Sequence, residues 1–155
     1  MTPRPSALRH ADYALIEAVR TAFVGVANAE RAPKMQAYMK STMPYLGVPA
    51  PILKLEMGAL AKQHPPVSIE AWRDTALALF REATYREEWY ASLNLAGRTP
   101  HRHAPASLPL FEEMVVTGAW WDVVDESAHR IGDILKRHRA EVTPILRGWI
   151  SDPVL

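Results

Sequence analysis

The fold class is decided by one stretch of the sequence, Ser68-Ile69-Glu70-Ala71-Trp72-Arg73-Asp74-Thr75-Ala76-Leu77-Ala78-Leu79-Phe80. Its apolar residues recur at intervals of three and four, which places their side chains on one face of an α-helix. A serine directly before such a run is suited to cap the first turn. The predicted inward stripe consists of Ile69, Trp72, Ala76, Leu79 and Phe80. No segment shows the alternation of apolar and polar residues typical of a strand, so we predict an all-α protein.

The same helical spacing extends from this stretch toward both ends of the chain, with prolines and glycines at the breaks. Helices are predicted over residues 11–27, 33–42, 51–63, 69–80, 85–95, 106–117, 120–138 and 142–150, with a linker rich in proline and histidine before the sixth. Successive antiparallel pairs of short helices are typical of an α-solenoid, and a compact irregular bundle is the alternative. Residues 1–155 are predicted to form a single domain.

Composition excludes several classes of protein. The chain has no cysteine, which excludes a disulfide framework, a thiolate zinc site and a cysteine nucleophile. It shows no signal-peptide pattern and no apolar run of membrane-spanning length, so we expect no membrane partner. We expect a cytoplasmic protein, because a chain without cysteine suits a reducing compartment.

The net charge is only +1, but basic residues bunch between Arg98 and Arg139. The run 136–139 either complements the negative end of a helix or forms a phosphate-binding patch, and both interpretations stay open. His101 and His103 flank Arg102. Because neither cysteines nor an HExxH spacing accompany them, a solvated or phosphate-facing role is favoured over metal binding.

The seventh predicted helix carries a candidate site. At roughly 100° per residue, one quadrant collects the predicted core stripe Trp120, Val124, Ala128, Ile131 and Leu135. Trp121 and Asp125 lie one turn apart and share a surface at the edge of this stripe, while Asp122 and Glu126 point away. An indole face beside a carboxylate suits a flat or cationic ligand. The alternative is that the tryptophans are core and the acids only complement the helix dipole.

At these residues the sequence resembles a known family. The segment Thr117-Gly118-Ala119-Trp120-Trp121-Asp122-Val123-Val124-Asp125 resembles the "-WWD-x-V-D-" signature of the AlkD-like DNA alkylation repair glycosylases. Upstream, Met35-Gln36-Ala37-Tyr38-Met39-Lys40-Ser41-Thr42-Met43-Pro44-Tyr45-Leu46-Gly47-Val48 is similar to the family's "-YMK-x-x-F-x-F-L-G-I-" stretch. Residues 85–92 match its "-R-E-x-Q-x-x-A-" helix loosely. The three landmarks stand in the family's order.

The resemblance implies HEAT-like antiparallel helical repeats that form an α-solenoid with a concave DNA-binding face. It implies hydrolysis of the N-glycosidic bond of cationic alkylpurines, such as N3-alkyladenine and N7-alkylguanine, in double-stranded DNA. Asp125 is then the catalytic carboxylate, and Trp121 packs against the deoxyribose. Tyr38 lies in the DNA-facing cleft, and further DNA contacts are predicted at Lys40, Arg102, Lys136 and Arg137. No metal or organic cofactor is expected, and the protein would act at the bacterial nucleoid.

Two departures from the family pattern bear on activity. Pro49 stands where some members carry a glutamine that contacts DNA. The family pattern also continues beyond the last residues, Trp149 to Leu155, with a "-W-x-x-R-" segment whose arginine accompanies the catalytic aspartate. A non-enzymatic helical-repeat module that binds nucleic acid or protein is therefore the alternative function. Leu146, Trp149 and Ile150 have no evident cover, so we expect an exposed apolar end that another copy or a continuation of the pattern would bury.

Overall fold

The computed structural model describes residues 8–98 and 101–154, and within these residues it is all-helical, without strands. The described part contains eight α-helices: α1 (Tyr13–Gly25), α2 (Arg31–Met39), α3 (Ala50–Gln63), α4 (Ile69–Arg81), α5 (Arg86–Ala96), α6 (Leu108–Gly118), α7 (Trp121–Arg137) and α8 (Arg139–Ile150). Two short 3₁₀ turns, His101–His103 and Pro105–Ser107, precede α6. The all-α prediction is confirmed, and the series of short helices is compatible with helical repeats. Thr99 and Pro100 of the predicted linker lie outside the described residues.

Contacts divide the chain into two compact units, which cover residues 8–95 and 96–154 of the described part. The prediction of a single domain over residues 1–155 stays a prediction. In the described part, no helix has both the length and the apolar character needed to cross a membrane.

The first unit is built around the stretch that predicted the fold. The side chain of Ser68 accepts a hydrogen bond from Ala71 N at 3.0 Å and caps α4 as expected. Helix α1 packs against α3 and α4. The largest side chains buried in this unit include Ile16, Phe23, Met57, Trp72, Leu79 and Phe80. The indole N–H of Trp72 donates to Leu95 O at 2.9 Å, which anchors the end of α5 on α4.

Helix α2 is shifted toward the N-terminus relative to its predicted bounds. The Asn28 side chain accepts hydrogen bonds from Glu30 N and Arg31 N, so the helix begins before Pro33 rather than at it. It ends early because Lys40 adopts the left-handed conformation, with φ 50° and ψ 37°. This conformation costs a non-glycine residue about 1 kcal/mol and stops helix propagation.

The second unit centres on α7. Helix α6 packs along α7, and both α8 and the His101–His103 turn also contact α7. Gly118, the last residue of α6, lies so close to Val123 that a Cβ there would stand 2.6 Å from Val123 Cγ1. Ala119 follows in the left-handed conformation, with φ 40°. A close approach and a sharp reversal therefore define the corner between α6 and α7.

The predicted core stripe of α7 is wrong. The buried residues of this helix are Val123, Ser127 and Ile134, whereas Trp120 is 41% exposed. Trp120 does not belong to the helix. It is the extended residue before it, with φ −138° and ψ 151°. Because apolar residues occupy two neighbouring rows of α7, the contact with α6 decides which row turns inward, and the buried row contains a serine.

Helix α8 begins at Arg139 rather than at Val142 and contains Pro144. Val142 is buried, while Ile150 is 84% exposed. Leu146 and Trp149 are partly exposed. The expected exposure of apolar side chains at this end is therefore present, most clearly at Ile150.

Candidate active site

The candidate catalytic pair lies at the start of α7. Trp121 is the first residue of the helix and is 53% exposed, and Asp125 is exposed one turn later. Their i,i+4 spacing places the two Cβ atoms about 6 Å apart on one surface. The structure thus brings the indole and the carboxylate together, as the helical spacing predicted.

The acidic residues around this pair are engaged elsewhere. Asp122 Oδ1 accepts a hydrogen bond from Val123 N at 2.9 Å, within the first turn of the helix. Glu126 pairs with Arg130 at 2.5 Å. Within residues 8–98 and 101–154, the Asp125 carboxylate has neither a hydrogen bond nor an ion pair. Of these three acids, it is the one whose oxygens stay available to a ligand beside Trp121.

The corner between α6 and α7 positions Trp121. The left-handed Ala119 turns the chain, and the extended Trp120 leads into the helix. Gly118 allows the turn to lie directly on the buried side chain of Val123. Because this contact leaves no room for a Cβ, the first turn of α7 is held close to the end of α6.

Three predicted DNA-contacting residues share the second unit with the catalytic pair. Lys136 lies 3.8 Å from Asp133, and 75% of its side chain is exposed. Arg137 is exposed and donates to Asp133 O at 3.5 Å. Arg102 is half-buried and donates from Nε to Nε2 of His103 at 2.7 Å. Lys136 and Arg137 are thus open to solvent, whereas Arg102 is held by its neighbour.

The other two predicted contacts lie in the first unit, at the end of α2. Tyr38 is 79% exposed. Lys40 is exposed and stands at the left-handed residue that ends the helix. Both side chains are accessible. They belong to a different compact unit from Trp121 and Asp125.

A buried carboxylate, which the sequence pattern did not single out, holds the segment after α2. The side chain of Glu87 is completely buried, and it accepts hydrogen bonds from three successive backbone N–H groups. The donors are Leu46 N at 3.0 Å, Gly47 N at 2.8 Å and Val48 N at 3.2 Å. Gly47 has φ 86°, and a Cβ there would collide with the backbone of Asn28. Through Glu87, helix α5 therefore holds the segment of the YMK-like stretch that contains Leu46 and Gly47.

Two more hydrogen bonds tie this segment to α5. The backbone N–H of Arg86 donates to Pro44 O at 3.0 Å, and the hydroxyls of Tyr45 and Tyr90 lie 2.7 Å apart. The predicted helix over 85–95 gave no sign of these contacts, because they join residues about forty positions apart. The loose match of residues 85–92 to the family was the one signal that could have drawn attention to Glu87.

Among the described residues, no group of three or more histidine, aspartate or glutamate side chains is arranged to hold a metal ion. His103 instead packs beside Arg102 against α7.

Comparison with known proteins shows the family of the chain. A family model described as DNA alkylation repair enzyme matches residues 19–155. No curated protein matches the chain at a significant level. The family match covers most of the chain, including α2, the buried Glu87 with its backbone donors, and all of α7. The chain belongs to the DNA alkylation repair enzyme family.

Proposed function

We propose that this chain is a DNA glycosylase that removes cationic alkylpurines, such as N3-alkyladenine and N7-alkylguanine, from double-stranded DNA. The observation that carries the proposal is the exposed carboxylate of Asp125, unpaired among the described residues, beside the exposed indole of Trp121. Membership of a DNA alkylation repair family supplies the substrate class at the coarse level. The resulting abasic site would enter base excision repair, with the bacterial nucleoid as the proposed place of action.

The protein need not protonate the base to make it leave. A purine alkylated at N3 or N7 carries a positive charge, so it leaves as a neutral molecule when the bond from C1′ to its N9 breaks and the electron pair stays on N9. The sugar then acquires oxocarbenium character, and a nearby carboxylate stabilises that charge. Asp125 takes this role and accepts a proton from the water that attacks C1′. Trp121 lies against the sugar, where its π-face favours the developing cation.

DNA phosphates are the proposed partners of the basic side chains. Lys136 and Arg137 are exposed on α7, and Tyr38 and Lys40 are exposed at the end of α2. Ammonium and guanidinium groups bind phosphates without reading base sequence. We assign these residues, together with Arg102, to backbone contacts that hold the duplex in register.

The catalytic assignment is tested by the release of N7-methylguanine from methylated duplex DNA under single-turnover conditions. Asp125→Asn keeps the size of the side chain and removes its charge. We expect the rate to fall on the order of 100-fold, as for loss of other preorganised charge-stabilising groups. Asp122→Asn is the matched control, because an asparagine can still accept the hydrogen bond from Val123 N; its rate should stay within about threefold of the unchanged protein.

An unchanged rate in Asp125→Asn would remove this residue from the mechanism. If the unchanged protein releases no base but binds DNA with normal salt dependence, the non-enzymatic nucleic-acid-binding module becomes the correct function.

Phosphate contact is tested separately by the salt dependence of DNA binding. Lys136→Ala should weaken binding to methylated and unmethylated duplexes equally and reduce the slope of log K against log salt by about 1. Lys62→Ala, an exposed lysine on α3 with no predicted DNA role, should leave the slope unchanged. Equal slopes for both variants would contradict the assignment of Lys136.

We also propose that the exposed apolar side chains of α8 and of the residues directly after it associate with another apolar surface, a second copy of the chain being the simplest one. Ile145 is 41% exposed, Ile150 84% and Val154 58%. Side chains of this kind gain free energy when they are removed from water. Sedimentation of the chain at increasing concentration should show reversible self-association, and a monomer at all concentrations would contradict it.

A further inference from the structure

A hydrogen bond joins Arg102 and His103, two neighbouring residues of the 3₁₀ turn that packs beside α7. The 3₁₀ turn His101–His103 packs against α7, and Arg102 Nε–H donates to Nε2 of His103 at 2.7 Å. An imidazole nitrogen that accepts a hydrogen bond carries no proton, so the proton of neutral His103 lies on Nδ1. Nδ1 is buried and has no hydrogen-bond partner among the described residues. His103 is therefore held in one tautomer by its sequence neighbour.

The surroundings of His103 carry a surplus of positive charge. The positive charges of Arg137, Arg102 and Arg130 act on the imidazole, and one carboxylate, that of Asp133, opposes them. Burial, followed by the charges of Arg137 and Arg102, lowers the pKa of His103 below the ordinary value for histidine, so the imidazole is neutral at neutral pH.

The other groups nearby do not cancel this surplus. Asp133 is already shared with Lys136 at 3.8 Å and with His129 at 3.9 Å. His101 is the remaining titratable group of the turn. The backbone of the turn is held by a hydrogen bond from Arg102 N–H to the carbonyl of Arg98 at 3.2 Å. Arg130 is paired with Glu126, so its charge is largely compensated. Arg102 and Arg137 remain beside the imidazole, and with Asp133 shared among its neighbours they favour the approach of an anion.

We propose that Arg102 and His103 form a phosphate-binding pair that takes up one proton when a DNA phosphodiester binds. This inference rests on the proposed function, because it takes DNA as the source of the phosphate. A solvent proton adds to Nε2 of His103, and the hydrogen bond from Arg102 breaks because an imidazolium has no lone pair to accept it. Arg102 Nε–H and His103 Nε2–H then both donate to phosphate oxygens. No covalent bond of the phosphate changes.

Proton uptake makes binding depend on pH. A bound phosphate stabilises the imidazolium and raises the pKa of His103 relative to the free protein. Between the two pKa values the complex holds more protons than the free protein, so DNA affinity rises as the pH falls. When His103 is neutral, the Nε–H of Arg102 is bound to its imidazole and cannot donate to a phosphate, so the pair binds phosphate less well.

The test is the affinity for a short undamaged duplex, measured from about pH 7.5 to about pH 5.5 at constant ionic strength. We expect the unchanged protein to bind on the order of fivefold more tightly at the lower pH, within the limit of tenfold per pH unit for one proton. His103→Gln should lose this gain, because the glutamine amide oxygen accepts from Arg102 but does not titrate. His129→Gln removes an exposed imidazole from α7 and should keep the gain.

A second measurement follows the imidazole directly in the unchanged protein. The ¹⁵N shifts of His103 should report a higher pKa in the presence of saturating duplex than in its absence. The same pKa with and without bound DNA, or a full pH gain in His103→Gln, would overturn the inference and leave the glycosylase assignment intact. A protein that binds no DNA at any pH would overturn both.

Discussion

Replacement of Glu87 by glutamine tests whether a buried carboxylate holds the segment between α2 and α3. Its side chain is 0% exposed and accepts three backbone N–H groups, from Leu46, Gly47 and Val48. A hydrogen bond to a charged acceptor contributes about 1.5 to 3 kcal/mol, roughly twice the contribution of a neutral one. Glutamine removes the charge and keeps one oxygen, which at the Oε1 position can still accept all three N–H groups; its N–H₂ group then replaces Oε2 and faces Leu46 N. Loss of the desolvation cost of the carboxylate offsets part of this.

The expected net loss for Glu87→Gln is therefore about 2 to 3 kcal/mol in the free energy of unfolding. Urea unfolding should show a lower midpoint at an unchanged m-value. Hydrogen exchange adds local evidence: if the segment opens by itself, the amides of residues 46–48 should lose protection on the order of 100-fold.

Glu82→Gln is the matched control for this experiment. Glu82 is exposed and also accepts a hydrogen bond, from the hydroxyl of Tyr13 at 2.8 Å. Because water can replace that bond, the control should cost less than about 0.5 kcal/mol. If Glu87→Gln costs no more than the control and leaves the exchange of residues 46–48 unchanged, the carboxylate does not hold this segment and the reasoning is refuted.

Three further predictions concern the corner before α7 and the apolar end. Ala119→Gly should stabilise the protein by about 1 kcal/mol, because Ala119 has φ 40°, whereas Ala128→Gly in the exposed middle of α7 should destabilise it by about 1 kcal/mol; equal signs in thermal unfolding would refute this. Gly118→Ala should cost about 1 to 3 kcal/mol, since the new Cβ would stand 2.6 Å from Val123, and Val123→Ala should recover part of that loss in a double-mutant cycle. Ile150→Asp should abolish self-association in sedimentation without lowering the unfolding midpoint, because Ile150 is 84% exposed, and undiminished association would exclude this side chain from the interface.

Local patterns account for what could be predicted. The Ser68 cap and the stripe of α4 depend on residues three and four positions apart. The structure shows the cap and buries Trp72, Ala76, Leu79 and Phe80 of the stripe, whereas Ile69 is half-buried. The pairing of Trp121 with Asp125 is equally local, because a helix of any packing places i and i+4 side by side. The three landmarks of the family resemblance were sufficient to identify the family, which the match over residues 19–155 confirms.

The errors in the predicted bounds of α2 arise where hydrophobic spacing carries no information. Helix α2 begins early because the Asn28 side chain, outside the periodic segment, accepts the backbone N–H groups of Glu30 and Arg31, and it ends early because Lys40 enters the left-handed conformation. In both places one side chain or one dihedral angle, rather than hydrophobic spacing, determines the boundary.

Two outcomes depended on tertiary contacts alone. Two rows of α7 were equally able to face inward, and the fit of Val123 against Gly118 buried the row that contains Ser127 and left Trp120 exposed. The sequence by itself thus determined the helices, the adjacency of Trp121 and Asp125 and the family, because these depend on short-range geometry and recognisable motifs. The inward face of α7 and the partners of Glu87 were decided only by the tertiary structure, because they join residues whose proximity no local pattern encodes.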